Sequence, residues 1–148
     1  MKRVMRRPIL LAIAATAALV STAANAAQLT VHKSPYCGCC AKWIEHVEKH
    51  GFTVKVIETE HMGAVKKRLG VPKEHASCHS SEAGGYSIEG HVPAADIKRL
   101  LAQKTKAAGI AVPGMPLGSP GMEAGGQKQP YATLLIGKDG KSRVFVQH

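Results

Sequence analysis

Aromatic side chains are scarce in this chain: one tryptophan, two phenylalanines and three tyrosines, 4 % of the residues. Acidic residues are also few, with 10 Asp and Glu against 20 Lys and Arg and a formal net charge of +10. Basic chains that bind nucleic acid stack bases on aromatic rings or gather their cations into a stripe. Here the cations are spread, and only Lys66-Lys67-Arg68 cluster, on a segment that reads as the solvated face of a helix. A nucleic-acid partner is therefore not expected. Internal repeats are absent, which excludes solenoid and propeller architectures. Beyond the first 26 residues no long apolar run remains, so no membrane span is expected there.

Those first residues have their own pattern. Lys2, Arg3, Arg6 and Arg7 form a basic start, Ile9 to Val20 is apolar, and Ala24-Asn25-Ala26 is a small-residue cleavage site. The apolar run is too short for a comfortable membrane span, and the combination reads as a secretory signal peptide. Residues 1–26 are expected to be removed after Ala26, leaving residues 27–148 as one domain with no stable membrane insertion. An uncleaved anchor is the alternative. Arg6-Arg7 lacks a twin-arginine context, so the general secretory route to the periplasm is expected.

Cysteine is also rare, with four residues, but three of them fall within Cys37-Gly38-Cys39-Cys40. The fourth, Cys78, stands beside His79. Exported chains commonly use cysteines in pairs as staples. This spacing argues against two staples, because a vicinal Cys39–Cys40 bridge is strained and only Cys37–Cys40 has a familiar redox separation. Sulfur near a helix N-terminus is favoured as thiolate, which exchanges disulfides and binds soft metals.

Gln28–Lys33 alternates like a strand and leads through Ser34-Pro35-Tyr36 into the cysteine loop. A helix is predicted from about Ala41 to His50, with Trp43, Ile44 and Val47 on one face. A second strand covers Phe52–Ile57, and a second helix covers Met62–Leu69. Ala76–Ser80 is irregular, Gly84-Gly85 is a turn and Tyr86–Glu89 is a short strand. A third helix runs from Pro93 to about Ala107, ended by Gly109. Ile110 to Pro130 reads as one long Pro/Gly loop that can be neither helix nor central strand. Tyr131–Ile136 and Ser142–Val146 form a hairpin around Asp139-Gly140. Strand, C-x-x-C at a helix start, strand, helix is the opening of a thioredoxin-like domain. The expected fold is α/β, a thioredoxin-like single domain with an added Pro/Gly-rich loop and a C-terminal β-hairpin.

Cys37 and Cys40 occupy the ends of the C-x-x-C motif, and Cys39 adds a sulfur that an oxidoreductase does not need. Cu(I) favours two or three soft ligands, and bridging thiolates can hold more than one ion. Cys78 is the natural fourth ligand. His79, Met115 and Met122 are candidate additional ligands, the methionines because thioethers bind Cu(I) and ignore hard ions. For each there is a plainer reading: His79 as an ordinary histidine, the methionines as apolar plugs. His46 and His50 lie one helical turn apart among charged residues, on what reads as a solvated face. His91 is a weak candidate, and His32, His61, His75 and His148 carry no signal.

Cys37-Gly-Cys-Cys40, Ser77-Cys78-His79, Tyr86-Ser-Ile-Glu-Gly-His-Val-Pro93 and Val112-Pro-Gly-Met-Pro-Leu-Gly-Ser-Pro-Gly-Met-Glu123 resemble the CopG-type family of periplasmic copper-resistance proteins. The resemblance spans essentially the whole chain after the leader. It implies a thioredoxin-like fold, copper bound by cysteine sulfur, and a role in copper or silver resistance with redox cycling between Cu(I) and Cu(II). It carries ligand roles onto Cys37, Cys39, Cys40 and Cys78. The expected function is a copper-binding protein, with copper ions as cargo and a periplasmic exporter or chaperone as partner class. The alternative is a thiol–disulfide or copper oxidoreductase in which Cys37 and Cys40 are catalytic. A structural zinc site is weaker, because C-x-C-C lacks the paired knuckles of zinc sites.

Overall fold

The computed structural model describes residues 27–148. The expected signal peptide, residues 1–26, and its expected cleavage after Ala26 fall outside the described residues. The chain runs β1 (Gln28–Lys33), α1 (Gly38–Lys49), β2 (Thr53–Glu58), α2 (Met62–Arg68), β3 (Ser80–Ala83), β4 (Tyr86–Glu89), α3 (Ala94–Gln103), β5 (Gly109–Ala111), β6 (Ala132–Ile136) and β7 (Ser142–Gln147). The strands form one seven-stranded mixed sheet in the order β2-β1-β3-β4-β5-β6-β7. β1 and β2 are parallel, as are β4 and β5, while the other neighbours are antiparallel. No helix among the described residues is long and apolar enough to cross a membrane.

Alternation along the strands divides the sheet into two faces. Leu29 and Val31 of β1 and Ile88 of β4 join Trp43 and Val47 of α1 and Ile97 and Leu100 of α3 in one fully buried cluster. On the other side, Lys66 and Arg68 of α2 reach Ser80, Glu82 and Glu89. So α1 and α3 cover one face and α2 covers the other. β2 is an outer strand whose Val56 and Ile57 remain exposed.

Several details differ from the sequence expectation. α1 begins at Gly38 rather than near Ala41, so Cys39 and Cys40 sit inside its first turn. Ser80–Ala83, where the sequence marked no strand, is a strand paired antiparallel with Tyr86–Glu89. α3 stops at Gln103 because Lys104 adopts a left-handed conformation with φ 48°. The start of the supposed loop, Ile110-Ala111, belongs to β5, a central strand between β4 and β6. The prolines that exclude a strand begin only at Pro113, and the residues before it are apolar and buried. The C-terminal hairpin forms where expected, with a register irregularity between Thr133 and Leu134.

Candidate metal centre

The turn Ser34–Cys37 delivers the chain from β1 into α1, closed by the Cys37 N–H donating to the Ser34 carbonyl at 3.1 Å. Cys37 caps the helix in an extended conformation, and Cys39 and Cys40 follow in the first turn. Cys37 and Cys40 are joined by a disulfide, while Cys39 and Cys78 are free thiols. Cys78 reaches the same point from the segment entering β3. Its Sγ lies 3.6 Å from Cys40 Sγ and 3.9 Å from Cys39 Sγ, and Cys37 Sγ lies 3.5 Å from Cys39 Sγ. Three neighbouring sulfurs and a fourth at least 38 residues further along the chain are thus gathered in one cluster with metal-holding dimensions.

A second donor set shares Cys78. His79 Nδ1 lies 3.3 Å and His91 Nε2 lies 3.0 Å from Cys78 Sγ. Both imidazoles are fully buried. His91 Nδ1 donates to the Pro120 carbonyl at 2.8 Å, which leaves the lone pair of Nε2 directed at the sulfur. The His79 ring stacks obliquely on Trp43, with centroids 4.4 Å apart, and its Nε2 is buried with no hydrogen-bond partner. An orphaned buried nitrogen is costly unless something else occupies its lone pair or proton.

Electrostatics keep this pocket uncharged. Burial pushes the Cys78 thiol up to about 12, and the neighbouring Cys39 adds to the rise. This overrides the helix N-terminus, because Cys78 is supplied from another element. Burial also holds His79 well below the ordinary imidazole value, with His91 and Lys66 pushing the same way. His91 is lowered by burial too, against opposing pulls from the Pro120 carbonyl and Glu123. Neutral imidazoles and soft sulfur suit copper or zinc, whereas hard ions want oxygen ligands, and a bound cation would displace the Cys78 proton.

The Pro/Gly loop closes over the centre. Ser77 donates its hydroxyl to the Gly114 carbonyl, and His91 holds Pro120. Gly121 has φ +84°, and a Cβ there would lie 2.8 Å from Trp43 N and 2.9 Å from Cys39 O. Only glycine lets the loop settle on the first turn of α1. Met122 lines a cleft of about 430 Å³ beside Cys39, with Lys42 and Glu123 at its rim. Met115, half exposed, follows the Gly114 that Ser77 grips.

The structure therefore gathers Cys37, Cys39, Cys40, Cys78 and His79, sets Met122 at the mouth and leaves Met115 outward. His91, weighed lightly from the sequence, is as close to Cys78 as any donor. The strand register contains the missing signal. Ser80 pairs with Glu89, so two further steps set Cys78 opposite His91. His46 does not lie on a solvated face: it is half-buried, and its Nε2 accepts the Ala94 N–H at 3.1 Å. Burial and the adjacent His50 lower its pKa.

These features define a class: a mixed α/β single domain with a sulfur-rich, metal-capable centre where a helix start meets a strand entry. Residues 75–122 match a family described as a protein of unknown function, DUF411. Two solved structures, both named copper resistance protein CopG, are similar over most of the chain. Form 2 shares 43 % identity, covering 83 % of this chain and 98 % of its own, with a TM-score of 0.80. Form 1 shares 44 % identity, covering 82 % and 96 %, with a TM-score of 0.78. No curated protein sequence matches the chain. The protein belongs to the CopG family of copper resistance proteins.

Proposed function

We propose that this protein binds copper as Cu(I) through the sulfurs of Cys37, Cys39, Cys40 and Cys78, and that it does so in copper resistance or homeostasis, with silver as a second soft cargo. The observation that carries this reading is the convergence of four sulfurs on one point, with two neutral imidazoles sharing Cys78. In the disulfide form, Cys39, Cys78, His79 and His91 are the donors on offer. Reduction of the Cys37–Cys40 bond by two electrons and two protons adds two thiols, enough for more than one ion. Met122 is the better placed of the two methionines for handing copper in or out. The names of the similar structures support copper as the metal.

The fold supports a thioredoxin-like reading of the first half. β1-α1-β2-α2-β3-β4-α3 with sheet order β2-β1-β3-β4 is the arrangement expected of such a unit, and β5 to β7 extend its edge. The basic, apolar and small-residue pattern of residues 1–26 supports export to the periplasm, where an exporter or chaperone would exchange copper with it.

A specific observation favours a second reading, a thiol–disulfide or copper oxidoreductase. The Cys37–Cys40 disulfide lies within 3.6 Å of both free sulfurs, so exchange needs little movement. One experiment separates the two. Cys39→Ser and Cys78→Ser are compared with wild type by competition against a Cu(I) chelator and in a disulfide-reduction assay. Copper storage or relay requires both variants to bind Cu(I) at least about ten-fold more weakly. A dithiol enzyme predicts wild-type exchange activity in both, and wild-type copper binding in both would sink the four-sulfur site.

A further inference from the structure

Glu89 is the one acidic side chain among the described residues with no exposure at all. It stands at the end of β4, on the face covered by α2. One carboxylate oxygen accepts the Ser77 backbone N–H at 2.7 Å and the Lys66 ammonium. The other accepts the Ser80 hydroxyl at 2.5 Å. Lys66 also donates to Ser80 Oγ at 3.1 Å. Between these attachment points lie Cys78 and His79. The Gly90 N–H, donated to the His79 carbonyl at 2.9 Å, ties the same stretch from behind. Gly90 has φ +72°, and a Cβ there would meet the Ser77 side chain at 2.5 Å and the Val112 carbonyl oxygen at 2.7 Å, so only glycine lets Ser77 pack this closely against the end of β4.

A buried ion pair is a poor way to gain stability, since desolvating both charges costs about as much as their attraction returns. Hydrophobic residues would fill the space at less cost. A carboxylate does something they cannot: it accepts three donors at once, one of them the backbone N–H immediately before Cys78. Ligands that bind metals tightly are held in place by such partners before the metal arrives.

We propose that Glu89, with Lys66 as its charge partner, is a positioning residue that fixes the Cys78 sulfur where the four-sulfur set and the Cys78–His79–His91 set meet. This rests on the reading that Cys78 is a copper ligand. Glu89 touches no metal and acts only through Ser77 and Ser80. Its contribution to copper binding must therefore pass through Cys78 and vanish when Cys78 does.

The test is a double-mutant cycle with Glu89→Gln, whose amide is nearly isosteric but offers one acceptor oxygen in place of two. Cu(I) affinity is measured by chelator competition on reduced protein, in the wild-type and Cys78→Ser backgrounds. Positioning predicts an about ten-fold loss in the wild-type background and none in Cys78→Ser. The same loss in both backgrounds, or no loss in the first, overturns the proposal, because a general packing defect does not care which sulfur is present. If Cys78→Ser alone leaves affinity unchanged, the copper reading of Cys78 falls and Glu89 falls with it. Should Glu89→Gln fail to fold, Ser80→Ala removes one of the three donors to Glu89, together with the Lys66–Ser80 bond, and carries the same cycle, with a few-fold loss expected in wild type and none in Cys78→Ser.

Discussion

Two kinds of histidine can be told apart in this molecule by what their rings face. His32 and His148 each face a carboxylate: His32 Nε2 is 3.1 Å from Glu82, and His148 Nε2 is 2.8 Å from the buried Asp96. Arg68 joins the first group and Thr133 the second. His79 and His91 face sulfur and no carboxylate. The difference is one of remaining capacity. A ring nitrogen committed to a carboxylate, itself bonded to a hydroxyl or guanidinium, is used up in holding the fold together. A neutral ring with a lone pair pointed at a thiol, or with an orphaned nitrogen, still has a bond to give.

Exchanging a histidine of each kind sharpens this contrast most. His91→Asn is expected to weaken Cu(I) binding by about ten-fold or more, since it removes either a ligand or the partner that orients Cys78. His148→Asn, at the far edge of the sheet, should shift affinity by less than about two-fold, because distant sites act independently. Chelator competition on the two reduced variants measures both. Equal losses would erase the distinction between the two kinds of histidine.

The reverse experiment asks what the carboxylate-bound histidine does. Asp96 accepts from Thr133 and His148 while sitting in the first turn of α3, where a negative charge also favours the helix. Asp96→Ala removes the acceptor of the buried Thr133 hydroxyl, leaving it only the longer 3.3 Å contact with His148 Nε2, and should cost about 1–3 kcal/mol in denaturant unfolding. Copper affinity should stay at the wild-type value. A variant that is normally stable but binds copper poorly would place Asp96 in the metal pathway and break the comparison.

The four sulfurs and His79 could be read from the chain as candidate donors, whereas His91 gave only a weak signal. Cys37, Cys39 and Cys40 are neighbours in sequence, and a helix start between two strands brings Cys78 to them. Local spacing carries that information. His91 depends on a pairing instead, Ser80 with Glu89 across the Gly84-Gly85 turn. Ser80-Ser81-Glu82-Ala83 has none of the β-branched or aromatic residues that announce a strand, so tertiary pairing overrides its propensity. β5 was hidden for a related reason. Three residues beside a proline-rich stretch look like part of it, and only their burial between β4 and β6 makes them a strand. Glu89 was equally illegible: its alternation marks it as polar and outward, and it is α2 that covers that face.

The smallest expected effect concerns Glu82, the partner of His32. The hydrogen bond from Arg68 chiefly holds the Glu82 carboxyl below its ordinary value of 4.5; His32 pulls the same way and burial opposes both. A carboxyl depressed in the fold adds stability above its ordinary value and loses that contribution as pH falls through the depressed one. The loss therefore belongs to the window below 4.5. Both Arg68 and Glu82 are more than a third exposed, so water and salt screen the pair, and such pairs contribute about 1 kcal/mol or less. Glu82→Gln should lower stability at neutral pH by that small amount and flatten the acid limb of a denaturant series run from pH 7 to pH 3. Raising the salt to about 1 M should shrink the wild-type acid limb toward that of the variant, since screening at that strength reaches down to about 3 Å. An acid limb just as steep in Glu82→Gln would mean that the pair is a surface contact without energetic weight. In that case His32 stays buried for reasons of packing alone, and the carboxylate-bound class of histidine shrinks to His148.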